Sequence, residues 1–180
     1  MSALRATRLL LRPHTAADAD DVARYAGDID VARMIRRIPH PYARQDALDW
    51  FARCAATSDE TNFAITRDGA YLGACGYMFS PDRSAAEIGY WLAKPFWGHG
   101  YATEAARALI RHGFGPLALE RITISHMTDN PASARVIAKC GFHRDGTARV
   151  HCLARQAEVD LVTYVMTRSQ AAALPWYQAA

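Results

Sequence analysis

Long hydrophobic runs are missing from this sequence. Its apolar runs reach only about six residues, far below the roughly 20 that a membrane-spanning helix needs. A secretory signal is also missing, because the N-terminus passes directly into alternating charged and apolar residues without a hydrophobic segment or a cleavage site. We therefore expect a cytoplasmic protein without a transmembrane helix.

A strong charge of one sign is absent as well. The chain has 21 Lys and Arg against 18 Asp and Glu, a net charge of +3, and the basic residues are dispersed. Dispersed charge disfavours a surface that follows nucleic-acid phosphates. The one local basic cluster, Arg33, Arg36 and Arg37, is short and interrupted, and we interpret it as a solvent-exposed helix face rather than a nucleic-acid patch.

Cysteine is sparse and unpatterned. None of the four cysteines belongs to a CxxC pair, and their spacing forms no regular framework. This pattern favours reduced thiols in a core over disulfides or a zinc site, and we expect no bound metal. The residues concerned are Cys54, Cys75, Cys140 and Cys152.

The composition fits a packed domain: 51% of the 180 residues are hydrophobic and 22% are charged. Strand and helix patterns alternate along the chain without a repeat or linker, which predicts one mixed α+β domain over residues 1–180, with its core at 8–168 and a tail at 169–180. The sequence leaves open whether the tail packs on the domain or on a second subunit. We expect strands at 8–12, 62–66, 71–79, 86–92, 121–126, from 142 and at 158–167, and helices at 19–26, 29–37, 46–56, 102–112 and 131–139. Pro13 should end the first strand, because proline lacks the amide donor that a sheet requires.

A short glycine-bearing loop joins an expected strand to an expected helix. Gly98 and Gly100 flank His99, and consecutive backbone amides at the positive end of a helix dipole suit a pyrophosphate. The loop is not a Walker loop, because no Gly-Lys-Ser/Thr follows. Nor is it a dinucleotide fingerprint, since Thr103 occupies the place of the third glycine. A tight turn without a ligand is the alternative.

Two segments together carry a family resemblance. The stretch 87–105, followed by Asn-Pro-Ala-Ser-Ala-Arg-Val-Ile-Ala-Lys-Cys-Gly-Phe at 130–142, resembles the GCN5-related N-acetyltransferases (GNAT). It is more closely similar to their branch of ribosomal-protein alanine and serine N-terminal acetyltransferases. The resemblance implies the GNAT fold, a mostly antiparallel twisted sheet of about seven strands with one splayed parallel pair, flanked by helices.

The resemblance also implies a binding site for acetyl-CoA. Its pantetheine arm would fill the gap between strands 88–92 and 121–126, where backbone donors lack a partner. The family often has Gln or Arg where this chain has Pro95, a change that a grip made by the backbone tolerates. By family position Trp91 and Leu92 offer backbone to pantetheine, and the pyrophosphate falls to Trp97, Gly98, His99, Gly100, Tyr101, Ala102 and Thr103.

Acetyl transfer to an amine requires a general base, since amines are largely protonated at neutral pH. Glu87 stands at the family's usual base position, although a charge on an exposed strand face would look the same. His126 ends the neighbouring strand and ranks second. Glu104 is interpreted as a favourable carboxylate in the first turn of a helix, and the role of Asp160 stays open.

The leaving thiolate requires a proton. Many family members use a tyrosine at the position of Ile137, which cannot donate. The resemblance instead assigns Ser133 as the thiol contact and possible acid, with a plain helix serine as the alternative. Asn130 becomes a contact to pantetheine or its flanking peptide, and a backbone N–H near Trp91 polarises the carbonyl.

The sequence therefore predicts an N-acetyltransferase that moves acetyl from acetyl-CoA directly to a primary amine in a ternary complex. A protein or peptide N-terminus is the expected acceptor. The alternatives are a small-molecule amine and a non-catalytic acyl-CoA-binding module. No nucleic-acid or membrane partner is expected, and the choice between monomer and homodimer stays open.

Overall fold

The structure is a computed structural model that describes residues 2–179. The strands of this part of the chain are β1 (Leu4–Arg5), β2 (Leu10–Pro13), β3 (Glu60–Arg67), β4 (Ala70–Phe79), β5 (Ala85–Leu92), β6 (Arg121–Met127), β7 (His143–Cys152) and β8 (Ala157–Thr167). Its α-helices are α1 (Ala19–Ala26), α2 (Ile29–Ala32), α3 (Arg44–Ala56), α4 (Tyr101–Phe114), α5 (Pro131–Cys140), α6 (Arg168–Ala172) and α7 (Pro175–Gln178). Short 3-10 turns occupy Ala16–Asp18 and Lys94–Phe96.

One sheet contains all eight described strands, in the order β1-β2-β3-β4-β5-β6-β8-β7. Every neighbouring pair is antiparallel except β5 and β6, which are parallel. The predicted fold class is thus confirmed. The strand beyond the expected seven is β1, whose two residues are too few to show an alternating pattern.

The two faces of the sheet are covered by different helices. Leu109 and Ile110 of α4 pack with Ile88 of β5 on one face. Val22 of α1 and Ala47 of α3 form a separate cluster on the other face, against which the side chain of Trp91 packs. Because successive side chains of a strand point to opposite faces, β5 presents Ile88, Tyr90 and Leu92 to α4 and α5, and Glu87, Gly89 and Trp91 to α1 and α3.

The helix expected over residues 29–37 is wrong in length, because α2 ends at Ala32. The carbonyls that would continue it are bonded to the turn between β7 and β8. Arg33 O accepts from Arg155 Nε at 2.6 Å, and Arg36 O accepts from Leu153 N at 3.0 Å. The segment from Arg33 to Ile38 therefore runs as a bridge from α2 to that turn, and we call it the 33–38 segment.

The basic cluster is solvent-exposed at Arg33 and Arg37, as interpreted, but the expectation that it lies on a helix face is wrong. Its arginines lie on the irregular 33–38 segment, and each guanidinium faces a carboxylate of another element. The pairs are Arg33 with Asp129 at 3.9 Å, Arg36 with Glu87 at 3.3 Å and Arg37 with Glu60 at 2.6 Å.

The first main strand, β2, ends at Pro13, as expected, and Pro13 forms its last pair, opposite Phe63. A proline is tolerated at such a terminal position because few ladder bonds depend on its missing donor.

The C-terminal tail packs on its own domain. Leu174 contacts Gly141 at the end of α5, and the Trp176 ring lies under the guanidinium groups of Arg107 and Arg111 of α4, 4.7 and 5.4 Å from its centroid. None of the helices among residues 2–179 is long and apolar enough to cross a membrane.

Candidate active site

The parallel strands β5 and β6 separate after a short contact. Their register runs only from Ala85 opposite Arg121 to Glu87 opposite Thr123. Beyond Glu87, β5 remains paired with β4, and β6 remains paired with β8 up to Met127. Within residues 2–179, each strand thus has one edge without a strand partner, and a buried backbone edge of this kind requires hydrogen bonds from another source.

The register tells which residues of β5 face this gap. Ala93 N donates to Leu72 O at 2.8 Å, so the backbone of Ala93, and by alternation that of Trp91, faces β4. The backbone groups of Tyr90 and Leu92 therefore face the gap. Leu92 O accepts from the Trp97 indole Nε1 at 2.8 Å, which closes one end of the gap. Trp91 contributes its side chain, which lines the cavity on the α1 and α3 side.

The glycine loop turns sharply into α4. Gly98 and Gly100 have φ angles of +79° and +81°, in the left-handed region that costs other residues about 1–2 kcal/mol. The first intrahelical bond runs from Glu104 N to Gly100 O at 3.1 Å. The amides of Tyr101, Ala102 and Thr103 precede it and have no acceptor within the helix, so this end of α4 can bind an anion.

Hydrogen bonds with the N-terminal segment stabilise the glycine loop. Glu104 accepts hydrogen bonds from the backbone amides of Arg8 and Leu9, at 2.5 and 3.1 Å, and from Arg8 Nε at 2.7 Å. Arg8 Nη1 also donates to His99 O at 3.2 Å, and the His99 ring stacks on Tyr101 with its centroid 5.6 Å away. Glu104 thus anchors the N-terminal segment to α4, which its sequence position did not reveal.

Glu87 lies where β5 and β6 part. Its Oε1 accepts from Ser125 Oγ at 2.9 Å, and its Oε2 lies 3.3 Å from Arg36 Nη2. The side chain is 32% exposed and lines the cavity rather than an open sheet face. Sequence reasoning missed Ser125. Its position two residues after Thr123, which pairs with Glu87, places its side chain on the same face of β6 as that of Thr123.

His126, the second predicted base, points to the opposite face from Ser125 because the two residues are consecutive on β6. Its Nδ1 lies 2.8 Å from Met127 O, and its Nε2 lies 3.1 Å from the Tyr164 hydroxyl. The residue is 8% exposed, and both ring nitrogens have partners. The structure therefore places the two predicted bases on different faces of the sheet.

The second motif opens α5. Asn130 is the N-cap, and its Oδ1 accepts from Ser133 N at 3.0 Å. The Ser133 hydroxyl lies 2.8 Å from the hydroxyl of Tyr90, across the gap between β5 and α5. Burial raises the pKa of Tyr90, which keeps this phenol protonated and able to donate. Ile137 is fully buried in the core.

Tyr90 also belongs to the candidate site, although its residue type alone indicated only a core or pocket-lining position. Its signal was the two-residue period of β5, which puts it beside Leu92 on the face covered by α5. Both its backbone and its hydroxyl reach the gap.

A cavity of about 1110 Å³ connects these groups. Its lining includes Ser133 and Thr103 from the α4 and α5 face, and Glu87, Trp91 and Trp50 from the α1 and α3 face. The cavity therefore passes through the sheet at the gap between β5 and β6, and it can admit ligands from both faces.

The remaining predicted features lie elsewhere. Asp160 is exposed on β8, with its carboxylate 3.8 Å from Arg149 Nε. All four cysteines are free. Among residues 2–179, no group of three or more His, Cys, Asp or Glu is arranged to hold a metal ion.

Three features fit acetyl-CoA: an unpaired strand edge for its amide-bearing arm, a cluster of free amides for its phosphates, and a cavity that joins the two. The sequence profile described as the acetyltransferase (GNAT) domain matches residues 8–143. The chain belongs to the GNAT family.

Relatives in the GNAT family match either nearly the whole chain or about half of it. The N-acetyltransferase p20 of Bacillus licheniformis is 28% identical over 175 residues, which cover 94% of this chain and 98% of p20. YdaF of Bacillus subtilis, provisionally named a ribosomal N-acetyltransferase, is 39% identical over 85 residues, or 47% of this chain and 46% of YdaF. The ribosomal-protein α-N-acetyltransferase RimL, solved with coenzyme A, shares the fold with a TM-score of 0.81 at 18% identity, over 92% of this chain and 98% of RimL. The chain is thus an acetyl-CoA-dependent N-acetyltransferase, as its sequence predicted.

Proposed function

We propose that this GNAT enzyme acetylates the primary amine of a peptide N-terminus by direct transfer in a ternary complex. The observation that carries the proposal is the cavity that passes through the sheet, with Glu87 at the point where β5 and β6 part. A cofactor entering from the α4 and α5 face and an amine entering from the α1 and α3 face would meet there.

The residues proposed to hold acetyl-CoA follow the gap and the glycine loop. Tyr90 and Leu92 offer backbone groups to the pantetheine arm, and the side chain of Trp91 lines its far wall. Asn130 fixes the start of α5 beside it. The phosphates fall to the loop and first helical turn, formed by Trp97, Gly98, His99, Gly100, Tyr101, Ala102 and Thr103.

Glu87 is the proposed general base. When bound, acetyl-CoA supplies the acetyl group: the amine nitrogen forms a C–N bond to the thioester carbonyl carbon, the C–S bond breaks, and the amine loses a proton while the thiolate gains one. Glu87 takes the amine proton, directly or through a water. Ser125 and Arg36 hold the carboxylate in place from two sides.

Ser133 and Tyr90 are proposed to provide the proton for the thiolate. Their hydroxyls lie 2.8 Å apart, so a proton given by Ser133 can be replaced from Tyr90. Tyr90, from the neighbouring strand, would in this way compensate for the isoleucine at position 137.

The acceptor is assigned by similarity and by the open α1 and α3 face. YdaF is provisionally named a ribosomal N-acetyltransferase, and RimL is named an α-N-acetyltransferase of ribosomal L7/L12, which supports a peptide N-terminus as the proposed acceptor. A small-molecule amine is the alternative that an acceptor panel must include.

The test is Glu87→Gln, which keeps the shape of the side chain and removes its basicity. We expect kcat to fall by about 10²–10⁴, the usual contribution of a general base, with an unchanged Kd for acetyl-CoA. Glu60→Gln is the matched control, because Glu60 also pairs with an arginine of the 33–38 segment. Loss of activity in both variants, or in neither, would remove Glu87 as the base.

A further inference from the structure

Arg36 places a hydrogen-bond donor directly beside the proposed base. Its Nη2 lies 3.3 Å from Glu87 Oε2 and 3.8 Å from Met78 Sδ, and the guanidinium lines the cavity with about a third of its side chain exposed. A hydrogen-bond donor, Arg36, and a hydrogen-bond acceptor, Glu87, thus lie side by side in the part of the cavity on the α1 and α3 face, where the amine would enter.

The guanidinium of Arg36 retains unused donors. Arginine carries five N–H groups, and within residues 2–179 the hydrogen bonds of Arg36 use only those of Nη2. The neighbouring Arg37 differs, since its two terminal nitrogens bond the two oxygens of Glu60 at 3.2 and 2.6 Å. The pair of Arg37 is closed, whereas the pair of Arg36 and Glu87 is open to a ligand.

The backbone around Arg36 is fixed by hydrogen bonds from the turn between β7 and β8. Its carbonyl accepts from Leu153 N at 3.0 Å, and the carbonyl of Arg33 accepts from Arg155 Nε at 2.6 Å. Arg155 itself pairs with Asp129 at 2.8 Å. The turn between β7 and β8 therefore fixes the backbone that carries Arg36, and the guanidinium itself contacts Glu87 and Met78.

We propose that Arg36 selects α-amines by binding the carbonyl oxygen next to the acceptor amine while Glu87 receives the amine. This inference rests on the proposed function. In an α-amino unit the carbonyl is attached to the carbon that bears the nitrogen, so both groups reach neighbouring partners at once. The side-chain amine of lysine is separated from any carbonyl by its aliphatic chain and cannot engage both. The acceptor class is thus the amine of an N-terminus, or of an amino acid or its amide.

The test compares two amines that differ in whether the amine-bearing carbon carries a carboxamide, and it compares their ratio between variants. Alaninamide and isopropylamine share the amine-bearing carbon, and isopropylamine has a methyl group in place of the carboxamide. The measured quantity is the ratio of their kcat/KM values, taken for the wild type, Arg36→Met and the matched control Arg37→Met. The same ratio for a peptide with a free N-terminus and an Nα-acetylated lysine peptide extends the test to larger acceptors.

Arg36→Met should reduce the preference for alaninamide by about tenfold or more, the value of a hydrogen bond to a charged group. Arg37→Met should leave it within twofold, and Arg36→Lys, which keeps the charge without the planar fork, should be intermediate. Calorimetry with the protein saturated by CoA provides a reading apart from turnover: alaninamide should bind the wild type more tightly than Arg36→Met, and isopropylamine should bind both equally.

An unchanged preference in Arg36→Met, together with a retained Kd for acetyl-CoA that shows folding, would overturn the inference and leave the transferase standing. Equal use of α-amines and side-chain amines by the wild type would do the same. Binding of acetyl-CoA without turnover of any amine would instead overturn the proposed function and this inference with it.

Discussion

His14 provides a quantitative test of the aromatic packing beside Trp50, which lines the cavity on the α1 and α3 face. Its ring packs between Phe51, with centroids 4.7 Å apart, and Trp50, at 4.8 Å, and Tyr71 lies 6.0 Å away. Neither ring nitrogen has a hydrogen-bond partner among the described residues. Burial lowers the pKa of His14 from 6.5 to about 4.

The sign of the effect follows from linkage. Between pH 6.5 and about 4 the unfolded chain binds a proton at His14 that the folded chain excludes, so the free energy of unfolding falls as the pH drops through this window. Each pKa unit corresponds to about 1.36 kcal/mol, which gives about 3 kcal/mol over the whole window and about 2 kcal/mol between pH 8 and pH 5. Burial also lowers the pKa of His112, which adds a loss in the same direction.

The assay is urea unfolding at pH 8 and pH 5 for the wild type, His14→Phe and the exposed control His143→Gln. Phenylalanine keeps the aromatic packing without a titrating group, so His14→Phe should lose about 2 kcal/mol less stability than the wild type on acidification. The control should behave as the wild type does. An unchanged pH dependence in His14→Phe would refute the assignment of the acid-sensitive step to this residue.

Three further predictions concern the site. Gly100→Trp should raise the Kd for acetyl-CoA at least about 100-fold by blocking the glycine loop. The control Gly69→Trp lies at a similar left-handed angle in an open hairpin and should leave that Kd unchanged. Equal effects of the two substitutions would reject the glycine loop as the phosphate-binding site. Ser133→Ala and Tyr90→Phe should each lower kcat about tenfold with the Kd within threefold, and a parallel loss of affinity would reduce both residues to cofactor contacts. Arg155→Ala should raise the acceptor KM about five- to tenfold by releasing the 33–38 segment, and a change confined to acetyl-CoA binding would contradict that role.

Local pattern predicted most of the fold. The strands that become β3 to β6 and the helices α3 to α5 were expected within a few residues of their bounds, because their periodicity reflects burial on one face or both. The length of α2 could not be predicted, since the groups that end it come from Leu153 and Arg155, more than a hundred residues away. The strand β1 was too short to carry a signal.

The site was predictable only in part for the same reason. Glu87, Ser133 and the glycine loop lie in two motifs that the sequence displays. The roles proposed for Arg36 and Tyr90 depend on contacts with Glu87 and Ser133, 51 and 43 positions away, and the local sequence around either residue does not encode these contacts.

The most direct test of the account is a calorimetric titration of the protein with acetyl-CoA, followed by measurement of free thiol release with a peptide whose N-terminus is free. We predict saturable binding at one site and thiol release that depends on the peptide and disappears when its N-terminus is acetylated. Absence of acetyl-CoA binding would contradict the assigned site, and binding without peptide-dependent release would contradict the proposed acceptor.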